Sequence, residues 1–127
     1  MVKSLSRDMS VLIYIKKNQD NLLEALKVSK CDFSNTNRGL CNNKIIFDAC
    51  ALYMAQIGEN VKLLSDSTVE YLNDYFNTGI LRYFRNMIDH SYEKVNRQIL
   101  QAYIQQMCSQ DVYDAVSRRI QYCKQNR

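Results

Sequence analysis

The sequence predicts an all-α protein. Its 127 residues include no proline and only three glycines, so few positions would interrupt a helix. Apolar residues recur at intervals of three and four along most of the chain, which is typical of helices with one buried face. At this length we expect a single domain covering residues 1–127.

The first helix is predicted from about Arg7 to Val28, with Ser6 as its N-cap. Its buried face would carry a run of aliphatic residues, including Leu12, Ile15, Leu22 and Leu26. Residues 31–43 are rich in asparagine and predict a loop, either a plain connector or a mobile binding loop.

The second helix shows the most regular pattern, and Asn42 or Asn43 is predicted to cap it. Its apolar positions step by three and four: Ile46, Cys50, Tyr53, Ile57, Val61 and Leu64. Ile45, Ala49 and Leu52 widen this stripe to nearly half the circumference. Gly58, inside it, costs about 1 kcal/mol relative to alanine. Either Gly58 allows close helix packing, or Glu59 beside it faces a functional site.

Two shorter helices are predicted next. Ser67 and Glu70 have the spacing of a capping box for a third helix that ends near Tyr75 or Phe76. Thr78 is the predicted cap of a fourth helix. The core face of the fourth helix would hold Ile80, Phe84, Met87 and Ile88.

Two further helices complete the prediction, separated by a break at residues 108–110. The core face of the fifth helix is predicted to be Val95, Ile99, Tyr103 and Met107. That of the sixth is predicted to be Val112, Val116, Ile120 and Cys123. Residues 125–127 are expected to fray.

The charge balance is mildly basic, with a formal net charge of +4 and a sequence pI near 8.8. That balance favours a polyanion such as RNA over an acidic partner, although an ordinary basic surface would explain it as well. No apolar run approaches the roughly 20 residues that span a bilayer. The first residues do not form a signal-peptide core, so we expect a cytoplasmic protein without a membrane segment.

The five cysteines form no C-x-x-C pair, and the chain has one histidine. A zinc site is therefore not expected, and the thiols should be reduced in the cytoplasm. We expect no metal and no cofactor.

The residues that suggest chemistry are Arg85, His90 and Tyr92, in the pattern R-x4-H-x-Y. Arginine carries a permanent, planar cation, and histidine exchanges a proton near neutral pH. Such a pair suits a phosphodiester: imidazole would take the proton of a ribose 2′-hydroxyl, and the guanidinium would stabilise the phosphate oxygens. Asn86 could add a hydrogen bond to the phosphate. No metal is required for this reaction.

Helix geometry complicates this hypothesis. On an ideal helix His90 lies roughly 140° from Arg85, so one straight helix cannot direct both side chains at one atom. Either the helix ends near Asp89, or a second copy of the chain completes the site. A plainer interpretation is that Arg85 and Asp89 form a surface ion pair and that His90 belongs to the helix end.

Two segments carry a family resemblance. The segment from Phe84 to Tyr92, FRNMIDHSY, resembles the R-x4-6-H signature of HEPN-domain proteins in the R-x4-H-x-Y form of HepT-like toxins. The segment from Ala55 to Ser65, AQIGENVKLLS, resembles the "IGE…LS" segment that this family carries on an earlier helix. The order and separation of the two segments agree with the family.

The resemblance implies a HEPN-like antiparallel helical bundle, with four core helices plus one or two short ones, that forms a two-fold homodimer. It implies a metal-independent endoribonuclease that is the toxin of a toxin–antitoxin pair. Arg85 and His90 would be catalytic, with Asn86 and Glu59 in support. An MntA-like nucleotidyltransferase antitoxin would silence it by transferring AMP to Tyr92. The family alternative is a non-catalytic dimeric module that binds a nucleotidyltransferase or nucleotides. Asp89 and Asn96 depart from the family pattern.

Overall fold

The computed structural model of the chain describes residues 4–31, 40 and 43–127. Across these residues the chain is helical and has no strand, which confirms the predicted all-α class. The helices are α1 (Leu5–Ser29), α2 (Lys44–Val61), α3 (Asp66–Asn73), α4 (Thr78–His90), α5 (Arg97–Met107) and α6 (Gln110–Asn126). A 3-10 turn at Tyr92–Lys94 joins α4 to α5. Most of the predicted loop, with Asn42 and Cys41, lies outside the described residues.

Polar side chains set where the helices begin. Ser4, not the predicted Ser6, caps α1, because its hydroxyl oxygen accepts the Arg7 N–H at 3.1 Å. Asn43 caps α2 as predicted, by accepting the Ile46 N–H. Asn77 rather than Thr78 caps α4, since its side-chain oxygen accepts the Ile80 N–H at 3.0 Å.

The start of α3 departs from the predicted capping box. The helix begins at Asp66 with Ser65 at the cap position and ends at Asn73, before Tyr75. The Ser65 side chain makes no capping hydrogen bond to α3. Its hydroxyl and its N–H both donate to the carboxylate of Asp8 on α1. Thr68 donates a third hydrogen bond to Asp8 at 2.6 Å. The fully buried Asp8 therefore joins the beginnings of α1 and α3.

The long helices pack in antiparallel pairs. Early in α1 Asp8 meets Ser65 just after α2, so α1 and α2 run in opposite directions. The hydroxyl of Tyr113, near the start of α6, donates to Asp20 in the second half of α1. Arg119, in the second half of α6, donates to the Thr68 hydroxyl, which itself donates to Asp8 early in α1. The start of α6 thus lies by the later part of α1 and the end of α6 by its beginning, so the two helices are antiparallel. Helix α2 also packs along α4, which carries the candidate site.

Burial corrects the predicted core in two places. Of the predicted α5 face, Val95 and Met107 are buried and Tyr103 packs against the core, whereas Ile99 is 50% exposed. The helix begins only after the Asn96 cap, and the prediction missed Leu100 and Ile104, which are fully buried. On α2, Ile45 and Leu52 are 81% and 61% exposed, so the buried face is narrower than the apolar one.

The sixth helix follows its predicted face, with Val112, Val116 and Cys123 buried. Ala115 is buried as well, and Ile120 is partly buried against the core. The predicted fraying of residues 125–127 is wrong, because α6 continues through Asn126. No helix among the described residues is long and apolar enough to cross a membrane.

Candidate functional site

The candidate site lies where α4 packs against α2, at Gly58. A Cβ atom added to Gly58 would lie 2.4 Å from the carbonyl oxygen of Leu81 and 2.9 Å from the Cβ of Arg85. Only glycine allows so close an approach of the two backbones. Of the two interpretations of Gly58, close packing is confirmed, and this packing also brings Glu59 to Arg85.

Arg85 is half-buried and held by three side chains. Its Nε lies 2.8 Å from Glu59 Oε2 and 3.1 Å from Asp89 Oδ2. Its Nη1 donates to Asn86 Oδ1 at 3.0 Å. Within the described part of the chain, Nη2 makes no hydrogen bond. The guanidinium is thus fixed through Nε and Nη1, and the two N–H groups of Nη2 are left to bind an anion.

Glu59 links two cations. Its Oε2 lies 3.1 Å from the Nζ of Lys62 as well as 2.8 Å from Arg85. Neither contact is aligned as a hydrogen bond, so the attraction to both partners is electrostatic. Glu59 therefore restrains Arg85 through charge, from the neighbouring helix.

His90 is the last residue of α4, and its side chain is exposed. The Ser91 N–H still bonds to the Met87 carbonyl at 2.8 Å, so the helical pattern extends to the end of the motif. The helix thus ends one residue after Asp89, and His90 still belongs to it. With both residues on one regular helix, Arg85 faces α2 while His90 is roughly 140° away on the solvent side.

Asn86 and Asp89, two polar residues of α4, both contact the side chain of Arg85. Asn86 binds the Arg85 side chain, and the remainder of Asn86 is exposed. Asp89 forms the predicted i, i+4 ion pair with Arg85 at 3.1 Å. Its carboxylate is thus occupied with Arg85. Both residues hold the arginine in place.

Tyr92 lies apart from Arg85, in the 3-10 turn that follows α4. Its hydroxyl donates a hydrogen bond to Oδ1 of Asp48 on α2. Asp48 and Glu59 are eleven residues apart on α2, so the contacts of Tyr92 and Arg85 are separated by about 16 Å along the helix. The structure brings Arg85, Asn86, Asp89 and Glu59 together, while Tyr92 lies at the other end of α2.

Sequence reasoning missed the surroundings of Tyr92. A cavity of about 320 Å³ is lined by Tyr92, Asp48, Lys44, Phe47 and Arg97, among others. Lys44 Nζ lies 2.7 Å from Asp48 Oδ2. The hydrogen bonds from Lys44 and Tyr92 lower the pKa of Asp48, while burial and the bond to Asp48 raise the pKa of Tyr92. No local pattern links residues 44 positions apart.

The cysteines of the described residues show no sign of reactivity. Cys50, Cys108 and Cys123 are free thiols. Burial raises the pKa of Cys50 to about 11 and that of Cys108 to about 12, which keeps both protonated at neutral pH. Within the described ranges, no group of three or more His, Cys, Asp or Glu side chains could hold a metal ion.

Comparisons with protein-family models, with curated proteins and with solved structures found no match for this chain.

Proposed function

We propose that this chain is a metal-independent endoribonuclease, the toxin of a HEPN/nucleotidyltransferase toxin–antitoxin pair of the type VII kind, acting in the cytoplasm. The observation that carries the proposal is Arg85, a half-buried arginine fixed through Nε and Nη1, with the N–H groups of Nη2 left as donors, on the same helix as an exposed histidine. Preorganised cations of this kind stabilise charge that develops on a phosphate. The resemblance of the two motif segments to HepT-like toxins points to the same chemistry.

In the proposed reaction His90 is the general base. Its imidazole takes the proton of a ribose 2′-hydroxyl, whose oxygen attacks the adjacent phosphorus as the bond to the 5′-oxygen breaks. The products are a 2′,3′-cyclic phosphate and a 5′-hydroxyl, and the leaving oxygen gains a proton. Arg85 binds the non-bridging oxygens through the N–H groups of Nη2. DNA, which lacks the 2′-hydroxyl, would not be cleaved.

The active unit that we propose is a two-fold homodimer. Arg85 and His90 diverge on one helix, so a second copy would supply the missing partner to each. Ile45 and Leu52 support this arrangement, because both are exposed aliphatic residues at seven-residue spacing from each other and from Glu59. They form an apolar stripe along α2 beside the candidate site, and burying it would favour association.

Silencing by an MntA-like nucleotidyltransferase completes the proposal, with Tyr92 as the AMP acceptor. Tyr92 lines a cavity of about 320 Å³ together with Lys44 and Arg97, two cations suited to a nucleotide phosphate. Attaching AMP would replace the hydroxyl proton and so remove the hydrogen bond to Asp48. It would also add negative charge that repels RNA.

The test is RNA cleavage by purified protein in the presence of EDTA. We expect wild type to leave 2′,3′-cyclic phosphate ends, and Arg85→Ala and His90→Ala each to lose activity at least ~100-fold. Arg82→Ala is the matched control, because Arg82 is an exposed arginine on the same helix. If wild type leaves diverse RNAs intact, or if His90→Ala cleaves as well as wild type, the nuclease is rejected.

One observation favours the second candidate, a non-catalytic dimeric module that binds a nucleotidyltransferase or nucleotides. Two carboxylates, Glu59 and Asp89, lie within 3.1 Å of Arg85 Nε and offset its charge. An arginine neutralised in this way can serve as a structural link between α2 and α4. Binding of the partner without RNA cleavage would identify this role.

A further inference from the structure

An apolar cavity on the other side of α4 has no role in the chemistry described above. Its volume is about 300 Å³, at the lower end of the range for small-ligand sites. The walls come from α4, the 3-10 turn and α5, and they include Ile80, Tyr83, Phe84, Ile99 and Tyr103. The size fits one nucleobase.

Aromatic rings dominate this cavity. Phe84 is buried at its centre and makes edge contacts with Tyr83 on one side and Tyr103 on the other, with ring centroids 5.8 and 5.4 Å apart. Tyr83 is 57% exposed, so much of its side chain is open to a ligand. Exposed aromatic rings are the usual surfaces on which unpaired bases of RNA stack.

The position of Tyr83 connects the cavity to the proposed reaction. Tyr83 and His90 are seven residues apart on α4, which places them within about 20° on one face and roughly 10 Å apart along the axis. A nucleotide stacked on Tyr83 would therefore lie along the same helix face as the ribose whose 2′-hydroxyl His90 deprotonates.

Two polar side chains stand at the cavity and define what it would bind. The Asn96 side-chain oxygen accepts the Ile99 N–H at 3.0 Å as the cap of α5. The amide group is thereby oriented, and its NH₂ is left as a donor. Lys94 adds a cation. These two donors would recognise a base with a carbonyl oxygen, such as uracil or guanine, and an adjacent phosphate.

We propose that this cavity is an RNA subsite that stacks one base on Tyr83 and binds its carbonyl oxygen through Asn96, next to the ribose 2′-hydroxyl at His90. The inference rests on the proposed ribonuclease function, since it names the part of the substrate that the same helix holds. Adenine stacks well but has no carbonyl oxygen. Stacking alone would therefore favour oligoadenylate, whereas recognition of a carbonyl oxygen by Asn96 would favour oligouridylate.

The experiment is fluorescence anisotropy with labelled 2′-O-methyl oligouridylate and oligoadenylate, neither of which can be cleaved, at one fixed salt concentration. Wild type should bind oligouridylate more tightly than oligoadenylate. Tyr83→Ala should weaken oligouridylate binding roughly tenfold, within the range for loss of one stacked base. Asn96→Ser keeps an N-cap and should abolish the preference for uridylate. Tyr14→Ala, an exposed tyrosine of α1, should bind like wild type.

The inference is overturned if Tyr83→Ala binds like wild type, if oligoadenylate binds more tightly, or if neither oligonucleotide binds. A Tyr83→Ala dimer that dissociates with unchanged RNA affinity would assign the cavity to a protein interface instead. Cleavage of unmodified RNA is scored separately. If RNA binding depends on Tyr83 but no RNA is cleaved, the nuclease is rejected and the subsite is retained. If RNA is cleaved but Tyr83→Ala has no effect on binding, the nuclease is retained and the subsite is rejected.

Discussion

Gly58 packs directly against the carbonyl oxygen of Leu81, at a point where a Cβ atom would come within 2.4 Å. Both contacting atoms belong to helix backbones or to Arg85 Cβ, so neither can rotate away. We predict that Gly58→Ala forces α2 and α4 apart and lowers the free energy of unfolding by about 1–3 kcal/mol, in spite of the higher helix propensity of alanine. Urea unfolding measures this change.

Gly79→Ala is the control for that prediction. A Cβ there meets only the Asn77 side-chain oxygen at 3.3 Å, so its unfolding free energy should change by less than about 1 kcal/mol. Equal stability of Gly58→Ala and Gly79→Ala would contradict the close packing.

Glu59 is predicted to act through Arg85. Replacing its carboxylate with an amide in Glu59→Gln removes the ion pair at 2.8 Å and frees the guanidinium to move. We expect RNA cleavage to fall by about tenfold or more in kcat, because a small displacement of a positioning group is costly. Glu70→Gln changes an exposed carboxylate of α3 and should leave kcat unaltered. A Glu59→Gln protein with the kcat of wild type would show that this ion pair is not needed.

Tyr92 should make the stability depend on pH. Because its folded-state pKa is raised, its contribution is complete below the ordinary value of 10.0 and is lost as pH rises through the folded value. Asp48 affects the stability at acidic pH. Because its folded-state pKa is lowered, its contribution to the stability is complete above the ordinary value of 3.8 and is lost as pH falls through the folded value. Tyr92→Phe should therefore be about 1 kcal/mol less stable than wild type near neutral pH.

The stability difference between wild type and Tyr92→Phe should shrink above pH 10 and again in acid. Urea unfolding from acid to alkaline pH would follow it, with Tyr53→Phe as the control because Tyr53 makes no hydrogen bond to any described residue. A difference that stays constant across this range would contradict the hydrogen bond to Asp48.

Asp8 should be among the most important polar residues for folding. Its buried carboxylate accepts three hydrogen bonds, from the Ser65 N–H, the Ser65 hydroxyl and Thr68. Asp8→Asn would turn an NH₂ group toward at least one of these donors, so we predict a loss of about 2–4 kcal/mol in unfolding free energy. Asp20→Asn, which affects only an exposed bond to Tyr113, should cost less than about 1 kcal/mol.

The sequence was informative where the pattern is local. The stripe on α2 and the break at residues 108–110 predicted the order of the α-helices seen in the described residues, because helical periodicity and capping act over a few residues. On α5 the prediction was wrong for Ile99, which is exposed, and it missed Leu100 and Ile104, which face the core. Ile45 and Leu52 were predicted to widen the apolar stripe of α2, but both are exposed. Periodicity marks them as apolar and does not distinguish a face buried in the core from an apolar face on the surface.

In the candidate site, too, the local contacts could be predicted from the sequence and the long-range contacts could not. Asp89 pairs with Arg85 at a spacing that the sequence displays, and the link from Glu59 was anticipated only as a neighbour of Gly58. Asp48 and Tyr92 are 44 residues apart, and Asp8 and Ser65 are 57 apart, so only the packing of the helices brings them together. The divergence of Arg85 and His90 followed from helix geometry, once α4 was found to continue to His90.

A shared cleft is the central claim, and complementation between two inactive variants tests it most directly. Arg85→Ala and His90→Ala are each expected to be inactive, whereas co-refolded mixed dimers contain one intact Arg85 and one intact His90 on opposite chains. We predict that the mixture recovers RNA cleavage, and that mixing wild type with the Arg85→Ala/His90→Ala double variant gives no gain beyond the wild-type dimers present. Mixed dimers that form but leave RNA uncut would contradict an active site built from two copies of this chain.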